Sequence, residues 1–74
     1  MTYFVQVTAS DPRLHGIVQG FCMIVPTRSD ACESIIQAKR AMRLRLDTRF
    51  TVTLDMISDD GTATPVPLNP YEQP

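Results

Sequence analysis

The side chains able to do chemistry in this 74-residue chain are few and scattered. His15 is the only imidazole, Cys22 and Cys32 are the only thiols, and the only adjacent carboxylates are Asp59 and Asp60, with Asp55 upstream. Nucleophilic hydrolysis needs a Ser, Cys or Thr whose proton passes to a base that is itself oriented. One histidine in a stretch that reads as a loop supplies no such relay, so His15 is expected to be a turn residue with at most a contact or pH-sensitive role. The cysteine spacing fits neither a disulfide framework nor a paired-cysteine zinc site, and both read as buried thiols. Adjacent aspartates ordinarily cap backbone amides in turns rather than hold a cation. Gly16, Gly20 and Gly61 are too few and too far apart for a phosphate-cradling loop or a dinucleotide fingerprint. The expectation is a chain that is not an enzyme and that uses no metal and no cofactor.

One pattern rises above this background. Five of the seven cationic side chains, Lys39, Arg40, Arg43, Arg45 and Arg49, are clustered, whereas everything after Arg49 carries only the acids Asp55, Asp59, Asp60 and Glu72. A formal net charge of -1 thus conceals a basic segment beside an acidic one, a separation that favours attraction of a partner. Arginine dominates the cluster, and its planar five-donor fork grips carboxylate or phosphate bidentately.

Length bounds what these side chains can be mounted on. A domain of this size buries only about 60% of the surface its unfolded chain exposes, so its core is thin and leaves little stability to hold a strained active site. No run approaches the ~18 apolar residues of a membrane helix, and Met1-Thr2-Tyr3-Phe4 offers no positive region ahead of an apolar one. A cytoplasmic setting is expected.

The positioning elements follow from period and punctuation. Residues Thr2 to Thr8 alternate as a half-buried strand, Asp11 to Gly16 reads as a loop, and Ile17 to Val25 is apolar on both faces, with Gly20 a candidate bulge. Thr27 to Asp30 supplies caps, with Asp30 and Glu33 spaced as in a capping box and a helix beginning near Ala31. Its apolar stripe is Ala31, Ile35, Ala38, Met42 and Leu46, flanked by Cys32, while Lys39, Arg40 and Arg43 lie on the opposite margin around Ile36. Phe50, Val52, Leu54 and Met56 alternate with Thr51, Thr53 and Asp55 as the clearest strand. A turn at Ser58-Asp59-Asp60-Gly61 then leads to a short edge strand within Thr62 to Val66. These elements predict an α+β fold: a small antiparallel sheet of three to four strands, β-β-α-β-β in spatial order 2-1-3-4, with one helix on one face. Residues 1–67 form the single domain, and the proline-rich 68–74 form an extended or loosely held tail.

The strand Tyr3-Phe4-Val5-Gln6-Val7, the strand Phe21-Cys22-Met23-Ile24-Val25, the helical Gln37-Ala38-Lys39-Arg40-Ala41 and the strand Phe50-Thr51-Val52-Thr53-Leu54 together resemble small phage-encoded β-β-α-β proteins, among them anti-CRISPR and other host-takeover inhibitors. The resemblance implies a non-catalytic inhibitor that occupies a site on a bacterial defence, transcription or replication complex. It carries over no binding residue.

The residues themselves point to a protein-interaction module that meets an acidic protein surface through Lys39, Arg40, Arg43, Arg45 and Arg49, with Ile36 as apolar anchor. The same cations neutralising phosphates would make a nucleic-acid-binding module, although a pI near 5.6 and few aromatic platforms speak against it. A third reading is a homo-oligomer that covers the two-faced apolar strand.

Overall fold

The structure is a computed structural model that describes residues 1–11, 16–42 and 49–73, with backbone alone for 11 and 16–18. His15, Arg43, Arg45 and Leu46, all singled out by the sequence, lie outside the described residues. Four strands and one helix follow one another: β1 (Thr2–Asp11), β2 (Gly16–Val25), α1 (Arg28–Met42), β3 (Arg49–Ile57) and β4 (Ala63–Pro65). The strands pair antiparallel in the order β2-β1-β3-β4, the predicted small α+β arrangement.

Register explains which side chains are inside. Val5 lies opposite Met23 and Leu54, and Val7 opposite Phe21 and Val52, so one face of the sheet gathers the alternate apolar residues of three strands. Helix α1 lies across that face and sinks Ala31, Ile35, Ala38 and Met42 into it, each about one turn from the next. Val5, Val7 and Ile35 are fully buried and form the centre of the core, each contributing roughly 1.5–3 kcal/mol of apolar transfer. Tyr3, Phe21, Phe50 and Val52 pack around them half-buried. The other face, which carries Gln6, Cys22, Ile24 and Thr53 in the opposite phase of the same alternation, stays open to solvent, as antiparallel sheets permit.

The helix starts earlier than its sequence suggests because Thr27, not Asp30, caps it. The Thr27 hydroxyl accepts the Asp30 N–H at 3.0 Å and its carbonyl accepts the Ala31 N–H at 3.1 Å, which places Asp30 inside the first turn, where a negative charge complements the helix dipole.

The bulge is displaced too. Thr8 faces Gly20 in regular register, whereas Ala9 faces Gln19 and Ser10 faces Ile17, so the extra residue on β2 is Val18. At Gly20 an added Cβ would meet nothing within 4 Å. The turn after β3 forms as predicted: Gly61 sits at a φ of 87°, its N–H donating to the Ser58 carbonyl at 2.9 Å.

The chain beyond β4 departs most from expectation. The Val66 N–H donates to the Leu54 carbonyl at 2.9 Å, Val66 and Leu68 pack against the core, and Glu72 has no solvent exposure at all. The segment expected to trail away folds back over the helix.

Candidate docking surface

The fold-back is held by two cations of α1. Arg28, in the first helical turn, directs both terminal nitrogens at Glu72, Nη1 to Oε2 and Nη2 to Oε1, each at 2.5 Å. This is the fork-on-fork geometry that makes arginine–carboxylate pairs directional. Glu72 Oε1 also accepts the Asn69 N–H at 2.7 Å, and the Glu72 N–H donates to the Asn69 carbonyl at 2.9 Å, closing a turn after Pro67 and Leu68. A buried carboxylate is costly unless its lone pairs are filled, and here they are. The hydrogen bonds from Arg28 hold the Glu72 carboxyl below its ordinary value of 4.5, outweighing the burial that pushes it up. Arg28 is raised in turn, chiefly by the same hydrogen bonds.

Lys39, three turns further along the helix, makes the second tie. Its ammonium donates to the Tyr71 carbonyl at 3.1 Å and to the Gln73 carbonyl at 2.5 Å, and the residue is only 6% exposed. The sequence places Lys39 in an outward cationic strip. The structure corrects that: Lys39 is scaffold, its charge turned onto the chain's own backbone.

The two ties hold the Tyr71 carbonyl, Glu72 and the Gln73 carbonyl against the helix and leave the Tyr71 residue 77% exposed to solvent. Tyr71 stands beside Ile36 and Arg40, and with Lys39 they line an open depression of about 270 Å³. Across the Ile36–Arg40 ridge a second open depression of about 320 Å³ is lined by Ser29, Cys32, Glu33, Ile36, Gln37 and Arg40. The first lies just below and the second at the bottom of the range of about 300–1,000 Å³ typical of small-molecule clefts, and both suit a protruding side chain better than an engulfed ligand. Arg40 is exposed and Ile36 half-buried, as an apolar anchor beside a charged one should be.

Of the other predicted site residues, Arg43 and Arg45 lie outside the described residues. Arg49 is exposed but opens β3, opposite Ser10, on a different element. Tyr71 was not expected here at all. Only its place in a proline-rich segment was legible, and nothing local in the sequence shows that the segment returns to the helix.

The thiols also differ from their expected burial. Cys22 is exposed on the open face of β2, and Cys32 is half-buried beneath the returning segment. Burial, and then the neighbouring Glu72 carboxylate, push the Cys32 thiol above its ordinary value of 9.0. Among the described residues, no three of His, Cys, Asp and Glu come together in a way that could hold a metal ion, and no helix is long and apolar enough to cross a membrane.

No protein-family model, no curated protein and no solved structure matches the chain.

Proposed function

We propose that the protein is a non-catalytic interaction module that docks an acidic protein surface against Ile36, Arg40 and Tyr71. The observation that carries this reading is the display of Tyr71 by a segment tied down through the Tyr71 carbonyl itself and through the two residues that follow it, Glu72 and Gln73. Tyrosine and arginine around an apolar contact are the residue types that dominate binding energy at protein interfaces, and a rigidly held tyrosine loses little entropy on binding. Arg40 supplies the charge that an acidic partner complements. The resemblance to small phage-encoded inhibitors fits the same reading, with a component of a bacterial defence, transcription or replication complex as the partner and the cytoplasm as the setting. A phosphate-binding strip is supported less, because Lys39 is engaged by backbone carbonyls and Arg49 stands on another element.

The test is quantitative capture from a bacterial lysate by the wild-type chain, by Arg40→Glu and Tyr71→Ala, and by Thr53→Glu on the open face of the sheet. A specific partner retained by the wild type and Thr53→Glu, and weakened at least tenfold by the other two, is the expected outcome. Equal retention by all four would remove the surface from consideration.

A further inference from the structure

The two edges of the sheet are built differently. On one side β4 has three residues, one of them Pro65, which cannot donate a ladder hydrogen bond. On the other side β2 has ten residues, with no proline and no charged side chain among them. Sheet edges are ordinarily blunted by short strands, prolines, charges or bulges. The β4 edge has the first two, and the β2 edge has a bulge at Val18 alone. Regular register therefore runs through residues 19–25, whose outer backbone groups face away from β1.

An added strand on this edge would have its helix-side residues beside an apolar groove of about 240 Å³, lined by Phe21, Met23, Ser34, Gln37, Ala38 and Ala41. The groove exists because Ala38 and Ala41 put little bulk over the outer rim of the sheet. On the opposite face Ile24 is 59% exposed. The occupant must be an extended segment, uncharged, and apolar on both faces.

We propose that the occupant is a second copy of the same segment, paired antiparallel so that residues 19–25 of two chains form one continuous sheet about a two-fold axis at Cys22. Cys22 is the midpoint of the regular stretch, and self-pairing about it opposes only uncharged residues. Phe21 meets Met23 of the other chain over the groove, an aromatic–thioether contact. Gly20 leaves room on the open face for the other chain's Ile24, which pairs across from it. Gln19 meets Val25. No like charges oppose one another, and the arrangement is isologous, the commonest symmetry of soluble oligomers. The axis is perpendicular to the sheet, so both helices lie on one side and both Ile36–Arg40–Tyr71 surfaces remain uncovered. The inference goes beyond the docking reading and does not depend on it.

Size exclusion with light scattering on the full chain, over a concentration series, is the first measurement. A mass of twice 8.3 kDa that dissociates on dilution is expected. Met23→Lys and Ile24→Lys, both at exposed positions, should raise the dissociation constant at least tenfold with circular dichroism unchanged, whereas Thr53→Lys should not. Register is read by copper-phenanthroline oxidation, in which two Cys22 thiols lose their hydrogens to the oxidant and form one disulfide. Cys22 should cross-link the dimer rapidly, and Gly20→Cys in a Cys22→Ser background should not. A monomer at every concentration would overturn the proposal, as would a dimer indifferent to Met23→Lys and Ile24→Lys. Equally fast cross-linking from position 20 would overturn the register.

Discussion

Arg28 and Glu72, 44 positions apart in the chain, meet as a two-pronged ion pair whose carboxylate is fully withdrawn from solvent. The pair joins the start of helix α1 to the turn at residues 69–72. A cation at a helix N-terminus is unfavourable by itself, and the Glu72 carboxylate offsets it while lying where the helix dipole favours negative charge.

Removing one partner strands the other. Glu72→Gln should cost about 3 kcal/mol in urea unfolding, because Arg28 loses its bidentate acceptor in a partly buried place. Replacing both residues with methionine should cost less than the sum of the single changes, and a double-mutant cycle measures that difference.

Stability should depend on pH through the same residue. The folded Glu72 carboxyl is depressed below 4.5, so its contribution is complete at pH values above the unfolded range and is lost as pH falls through the folded value. Asp60 is lowered to about 2, first by the Ser58 hydroxyl and then by the Thr62 N–H, and acts in the same direction at lower pH. Unfolding free energy followed from pH 6 downward should decline below the ordinary carboxylate range, and Glu72→Gln should flatten the upper part of that decline.

Lys39→Met keeps the aliphatic stem and deletes the donors to Tyr71 and Gln73. The expected loss is about 1.5–3 kcal/mol if unfolding is global. Amide exchange should accelerate first at residues 69–73, with β1 and β3 little affected. Uniform acceleration over the whole chain would show that Lys39 matters to the core rather than to the tie.

Gly61→Ala places a side chain at a φ of 87° where no neighbour obstructs it. The cost should therefore be the backbone strain alone, about 1–2 kcal/mol. A thermal melt beside Gly61→Asn, which tolerates this region better, measures it.

Maleimide labelling at neutral pH should modify Cys22 well before Cys32. The first is exposed, while the second is half-covered and its thiol is held above the ordinary range. Glu72→Gln should speed the slower site by loosening the cover and removing the nearby charge.

How far the sequence carries depends on whether the signal is local. The alternation in Tyr3-Val5-Val7 and Phe50-Val52-Leu54-Met56 specifies which face each strand buries, because one residue of slippage would turn the whole set outward. The Ala31-Ile35-Ala38-Met42 stripe does the same for the helix. What escapes is whatever depends on a distant partner. Thr27 outcompetes Asp30 as cap because the chain leaves β2 just after Val25, and the bulge falls at Val18 although glycine at position 20 looked the better candidate. Lys39 lies on the polar margin of a helical wheel, but a wheel drawn for one helix omits a segment that returns from more than 30 positions away. For the same reason neither the burial of Glu72 nor the display of Tyr71 is legible from their proline-rich surroundings.

The three-residue β4 with its proline has a consequence for assembly size. A sheet open at both margins could recruit chain after chain into a fibre, each new copy exposing a fresh template for the next. Here the β4 margin is short and carries a proline where it covers residues 55–57 of β3, so growth through that stretch would be disfavoured once two molecules have joined along β2.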